Sequence, residues 1–154
     1  MQNTILDALH SILGPKGMLT GDDIHTGYHT DPRGQSEVCP TVVLRPATTE
    51  HLSQIMALCH EASQPVVVQG GLTGLVIGAM PQQGELVISM ERMNQIENID
   101  PKAGTITVQA GTPLQTVQEA ADAHDMVYPL DLGARGSCTI GGNLSTNAGG
   151  NRVI

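Results

Sequence analysis

The segment TVVLRPATTEHLSQIMALCHEASQPVVVQGG, residues 41–71, leaves few ways to fold. TVVLRP is a β-branched run stopped by Pro46, which reads as a strand. The next stretch places Leu52, Ile55, Met56 and Cys59 at i, i+3, i+4 and i+7, one face of a helix. QPVVVQGG is then a second short apolar run, which predicts a buried parallel strand reached through a crossover helix. The outcome is one βαβ unit.

Around it the pattern is mixed. Ile5, Leu6, Leu9, Ile12 and Leu13 fall at helical spacing and stop at GPKG, so a first helix closes near Gly14. Residues 19–40 are polar and turn-rich, without periodicity, and read as a connection along the surface. ELVISM predicts a third strand, and the alternation of Ile106, Val108 and Ala110 a half-buried one, with a hairpin turn at Pro101 to Gly104. Thr112 is placed as the N-cap of a further helix, with Pro113 at its first position, Leu114, Val117 and Ala121 facing inward, and an end near His124. Parallel and antiparallel strands together give the class α+β.

Composition excludes several functions. With no Phe, no Trp and only Tyr28 and Tyr128, the core must be built from aliphatic side chains and Met. A net charge of -8, from 15 acidic and 7 basic residues, opposes a polyanionic partner, and scarce aromatics leave few platforms for stacking bases. Nucleic acid is set aside. Cys39, Cys59 and Cys138 are too few and too widely spaced for a disulfide framework or a zinc site, and read as reduced thiols of a cytoplasmic protein. The first residues lack the basic start and apolar run of a signal peptide, and no apolar stretch approaches the roughly 18 residues of a membrane span.

Two glycine-rich segments carry the chemistry. VVVQGGLTGL puts Gly70, Gly71 and Gly74 directly after a strand, where successive backbone amides can converge on an anion such as a pyrophosphate, with Thr73 as a hydroxyl donor. Neither a Walker A nor a Rossmann fingerprint is present, and an ordinary tight turn is the competing reading. LDLGARGSCTIGGNLSTNAGG, residues 130–150, concentrates six of the 18 glycines. Between them stand Ser137, Thr139, Asn143, Ser145, Thr146 and Asn147, hydrogen-bonding partners for the edge of a flat polar ring. A glycine-rich surface loop is the alternative, against which Leu130, Leu132, Ile140 and Leu144 read as buried.

These two segments, about 55 residues apart, together with TDPRGQ, LRPATTEHLSQIMALCHE and SMERMNQIENIDPKAGTITVQAGTPL, resemble the FAD-binding domain of the vanillyl-alcohol oxidase/para-cresol methylhydroxylase (PCMH) superfamily. More narrowly, they resemble the branch with D-2-hydroxyglutarate dehydrogenase, D-lactate dehydrogenase and the FAD subunit of glycolate oxidase. The resemblance spans roughly residues 20–152. It implies a PCMH-type α+β fold, with an N-terminal βαβ subdomain and the start of a second, mixed or antiparallel one. Residues 1–36 would be a helix and connection, and 37–154 a FAD-binding domain incomplete at its C-terminus.

By that similarity, Gln69, Gly70, Gly71, Leu72, Thr73, Gly74 and Leu75 bind the FAD pyrophosphate, although Leu72 stands where the branch commonly has Asn. Pro129, Asp131, Gly133, Ser137, Gly141, Gly142, Asn143, Thr146 and Asn147 line the isoalloxazine and the adjoining phosphate and ribitol. No histidine lies between His60 and His124, so the resemblance implies non-covalent FAD. The catalytic histidines, acidic residue and metal site of the family belong to a cap beyond the Asn-Ala-Gly-Gly motif. This chain is therefore expected to hold no catalytic or metal-ligating residue, and its closing NRVI reads as the start of an interrupted strand.

The expected function is the FAD-binding portion of a D-2-hydroxy acid dehydrogenase, with a small 2-hydroxy acid as substrate and a separate electron acceptor. Alternatives are a non-redox ligand- or partner-binding module, prone to self-association through exposed apolar surface, and another FAD-linked oxidase of the superfamily. His25 and His29, four apart in a loop, are expected to be solvated rather than ligands, as are His51, His60, His124 and the Asp22-Asp23 pair. Cys138 is expected to be a small buried thiol.

Overall fold

A computed structural model of the chain describes residues 2–35 and 37–150, so NRVI lies outside the described residues. The architecture is α+β, in two compact units, Met1–Arg92 and Met93–Ile154.

Four strands form the sheet of the first unit: β1 (Met18–Thr20), β4 (Val42–Leu44), β5 (Val66–Gln69) and β6 (Leu86–Ser89), in the order β1-β4-β6-β5. Both β4 and β5 run parallel to β6, and β1 is antiparallel to β4. The βαβ unit is present, but its two strands are not neighbours. ELVISM supplies the strand between them, buried at all four of its positions because it is paired on both sides.

Strand alternation sorts the core. Val43, Val67 and Val87 are in register on one face and pack with Ile24 and Tyr28. On the other face Leu44 and Ile88 are completely buried, whereas Val68, in register with Ile88 on the edge strand, is half exposed. The uniformly buried strand expected at PVVVQ is thus buried on one side only. Helix α1 (Gln2–Leu13) closes on Gly14, whose φ of +66° is the left-handed conformation that glycine adopts without a Cβ penalty. Helix α2 (Thr49–Glu61) starts from Thr48, whose hydroxyl accepts from the His51 amide, and buries Ile55 and Cys59 while Met56 is exposed.

The expected surface connection is more structured than its sequence suggests. It contains β1, 3-10 turns at Gly21–Asp23 and Thr26–His29, and a short antiparallel pair, β2 (Thr30–Asp31) with β3 (Gly34–Gln35). Ile24, Tyr28 and His29 are buried, which corrects the expectation that His29 is solvated. The Tyr28 hydroxyl donates to Glu91 Oε1 at 2.9 Å, and Arg45 Nη1 meets the same oxygen at 3.1 Å.

In the second unit, β7 (Ile96–Asp100) and β8 (Thr105–Val108) form the expected hairpin, with a bulge between Ile96 and Asn98. The Asp100 carboxylate accepts from the amides of Lys102 and Ala103, and Gly104 turns at a φ of +65°. Helix α3 (Leu114–Asp122) buries Leu114, Val117 and Ala121 as expected, but starts one residue late. Pro113 is the N-cap, and the Thr112 hydroxyl is spent on the Gln95 carbonyl oxygen at 3.3 Å. Leu130 and Cys138 complete this small core, flanked by Tyr128, Leu132 and Ile140. A fourth helix, α4 (Ile140–Ser145), follows.

Candidate functional site

The first glycine segment leaves β5 and makes no regular structure before Glu85. Leu72 has a φ of +53° and Ile77 one of +64°. This left-handed region disfavours L side chains, most of all a β-branched one. Leu75, Val76 and Ile77 are 63%, 76% and 52% exposed, a run of apolar side chains in solvent. A Cβ on Gly74 or Gly78 would meet nothing within 4 Å, and neither residue needs a positive φ. The protein's own packing therefore gives no reason for glycine at either position.

Gln69 anchors this loop. It is 1% exposed, its Nε2 donates to the carbonyl oxygens of Tyr28 and Ala79 at 2.8 Å each, and its Oε1 is buried without a partner. Sequence reasoning placed Gln69 on the loop but missed Tyr28 and Ala79. A lone tyrosine inside the polar HTGYHT was the available signal, because a buried aromatic in a connection implies that the connection is packed.

The second glycine segment is built differently. Thr139 Oγ1 accepts from the Gly142 amide and caps α4. At the other end, Asn147 has a φ of +49°, its amide donates to Leu144 O, and the Ala148 amide donates to Asn143 O. That pair of bonds is a Schellman cap, with Asn in the left-handed place. Ser145 Oγ and Thr146 Oγ1 donate to the carbonyl oxygens of Gly141 and Gly142, so their protons are already committed. The Gly141 amide donates to Ala110 O, and a Cβ there would stand 2.8 Å from the Ala110 Cβ. A Cβ on Gly150 would collide with the Asp131 carbonyl oxygen. Both glycines are required by close approach of backbone to backbone. Gly133 has open space, Ser137 and Pro129 are exposed, and Asn143 is buried with its Nδ2 unpartnered. Leu144 is 75% exposed, against the expectation that it is buried.

Beside α3 lies a cleft of about 290 Å³, lined by Gln115, Gln118, Glu119, Tyr128, Asp131 and Arg135 among others. Its carboxylates outnumber its one cation, which disfavours a phosphate. Cys138 is buried, as expected, and His25, His60 and His124 are exposed. His51 is only partly exposed and its Nδ1 is buried without a partner, so the solvated reading fails there.

Comparison with known proteins adds the following. Residues 40–154 match the family described as FAD binding domain. The chain is 42% identical over 140 residues to D-2-hydroxyglutarate dehydrogenase, mitochondrial, of Danio rerio, covering 91% of this chain and 26% of that protein. It thus spans about a quarter of the length of such relatives. Solved structures of alkyldihydroxyacetonephosphate synthase and p-cresol methylhydroxylase match at TM-scores of 0.85 and 0.74. They cover 96% and 95% of this chain and 30% and 29% of theirs, and at 19% identity they speak for the fold, which is of the PCMH type.

These relatives overturn one expectation. The inference from three thiols to a cytoplasmic protein conflicts with the word mitochondrial in the names of the Danio rerio and Bos taurus enzymes and of a putative D-lactate dehydrogenase of Schizosaccharomyces pombe. Reduced, unpaired cysteines report redox conditions and do not separate one reducing compartment from another.

Proposed function

The chain belongs to the FAD binding domain family, and from that premise we propose that it is the cofactor-holding part of a flavin-dependent D-2-hydroxy acid dehydrogenase. Residues 37–154 are the FAD-binding domain in this reading, and 1–36 a preceding helix and connection. The observation that carries it is the 42% identity to a D-2-hydroxyglutarate dehydrogenase over 140 residues, 91% of this chain.

The residues present fit FAD. A pyrophosphate laid against backbone amides needs a loop without side chains in its way, and Gly74 and Gly78 are glycines that neither conformation nor packing requires. Polar groups of the cofactor need partners, and Asn143 Nδ2 is a buried donor without one. Gln69 to Leu75 would hold the pyrophosphate through backbone amides, with Thr73 adding its hydroxyl. Pro129, Asp131, Gly133, Ser137, Gly141, Gly142, Asn143, Thr146 and Asn147 would border the ring and ribitol. Because Thr146 already donates to Gly142 O, its hydroxyl can serve the cofactor only as an acceptor.

FAD supplies the redox chemistry, acceptance of a hydride from the α-carbon of a D-2-hydroxy acid and delivery of electrons to a separate acceptor. The residues of this chain bind and orient it, without a covalent bond. The exposed Leu75, Val76 and Ile77 favour self-association of the isolated chain.

The test is an absorbance spectrum of the purified protein after incubation with excess FAD and removal of unbound cofactor. Retained visible flavin absorbance, released by denaturation, is the expected result. A folded, colourless protein overturns the reading for these 154 residues. Dehydrogenase turnover by this chain alone would contradict the division of labour, because none of its residues is assigned to chemistry.

A further inference from the structure

Gln69 occupies a core position with a polar side chain. As the last residue of β5, it shares a face with Val67 and, through its register with Ser89, stands beside the Val43, Val67 and Val87 cluster. An apolar residue there would avoid burying an amide. Gln instead directs both of its N–H groups to carbonyl oxygens, one at Tyr28 in the 3-10 turn and one at Ala79 at the far end of the glycine loop. The amide has one sensible orientation, since turning it over would aim Oε1 at two other oxygens. Its own backbone carbonyl is taken by the Met90 amide at 2.9 Å, so the residue is fixed along its whole length.

The bond to Ala79 closes a ring. The loop from Gly70 to Gly78 departs from the Gln69 backbone and is gathered in again by the Gln69 side chain. Inside that ring the chain holds two left-handed non-glycine residues and three exposed apolar side chains, none of which stabilises it. The Met80 amide, which donates to Ile77 O at 2.9 Å, and the buried Met80 side chain steady the far end of the loop. Without the clamp, it is the amides before Ile77 that would sample more orientations.

We propose that Gln69 is a positioning residue for the cofactor: through Ala79 and Tyr28 it presets the glycine loop, so that the loop amides are oriented before FAD arrives. The proposal rests on the FAD-binding reading. A preset loop spares the ordering entropy that a slack one would lose on binding, and the gain appears as affinity.

The experiment uses the whole chain with two substitutions. Gln69→Glu keeps the shape but sets an oxygen against each carbonyl, and Gln69→Met removes the polarity at similar volume. Amide hydrogen exchange is followed in the FAD-free protein for residues 70–79 and, as an internal control, for β6. FAD dissociation constants are measured by titration of flavin fluorescence.

In both variants exchange in 70–79 should accelerate while β6 stays protected, and the dissociation constant should rise roughly ten- to a hundredfold, the loss of two ordinary hydrogen bonds. A merely structural role would speed exchange in β6 and the loop together. That result overturns the proposal, as does failure of both variants to fold, unchanged loop exchange, or a loosened loop with unchanged FAD affinity. Should the wild-type chain itself not bind FAD, the reading of function falls, while loop exchange still decides whether Gln69 sets the loop.

Discussion

The two glycine segments look alike as sequence and differ as physics. In residues 129–150 several of the glycines and polar side chains are consumed by the protein itself, while Gly133 has open space and Asn143 Nδ2 is unpartnered. Gly141 and Gly150 let backbone approach backbone, Thr139 and Asn147 cap α4, and the hydroxyls of Ser145 and Thr146 fold back onto the helix. In residues 70–80 little is consumed. Gly74 and Gly78 face open space, two side chains sit at positive φ, and the tip is apolar and exposed. One segment is self-supporting architecture. The other is held by Gln69 and has glycines that the protein's own packing does not require.

Alanine at one glycine of each kind breaks or sharpens this contrast. Gly141→Ala forces a Cβ to 2.8 Å from the Ala110 Cβ and 2.9 Å from its carbonyl oxygen, neither the end of a flexible side chain. Overpacking of this kind should cost roughly 1–3 kcal/mol, seen as a lowered urea midpoint. Gly74→Ala meets no atom within 4 Å and should leave stability unchanged or raise it by about 0.4–1 kcal/mol through the unfolded chain. Its effect should appear in FAD affinity, as a roughly tenfold loss. If the two alanines act alike on stability, the contrast is wrong.

How much of this was legible follows from where each signal resides. The βαβ unit and the hairpin rest on periodicity and turn residues, which are local, and both were readable. The strand β6 was readable as a strand, but its place between β4 and β5 was not, because sheet order depends on contacts distant in sequence. The burial of Tyr28 and His29 was not legible because HTGYHT has no period, and that of Tyr28 comes from the sheet face carrying Val43 and Val87. For the proposed site, the motifs marked the two segments as candidates. Which glycines serve packing and which serve a ligand depends on what lies beside each Cβ direction, and Ala110 and Asp131 are distant in sequence.

Alkali tests the support of the loop. Burial first, then the hydrogen bond and charge of Glu91, push the Tyr28 phenol up to about 12 from an ordinary 10. A group whose folded pKa is raised keeps its full contribution below the unfolded value and loses it as pH rises through the folded one. Stability should therefore hold to about pH 10 and fall between 10 and 12. Tyr28→Phe, less stable at neutral pH, should show a smaller fall over that interval in urea unfolding. Because Tyr28 O receives the Gln69 amide, exchange in residues 70–80 should quicken over the same range. An identical pH profile for the two proteins would remove Tyr28 as the cause.

The smallest effect concerns Leu72, which stands where the related branch commonly carries Asn. Its φ of +53° supplies the physical reason for an Asn, since a short polar side chain tolerates the left-handed region and a leucine does not. Leu72→Asn should then relieve backbone strain and raise stability by about 1 kcal/mol, provided the partly buried leucine contributes little by packing. Asn147, which fills the same backbone region as the cap of α4, provides the reciprocal measurement. Asn147→Leu should lower stability by a similar amount, because the Schellman bonds fix its φ. Opposite signs at the two sites, read from urea midpoints, would show that the loop carries strain which the capped segment avoids. Equal signs would mean that the loop has relaxed around its leucine, and that the polar atom lost at 72 matters to the ligand rather than to the backbone.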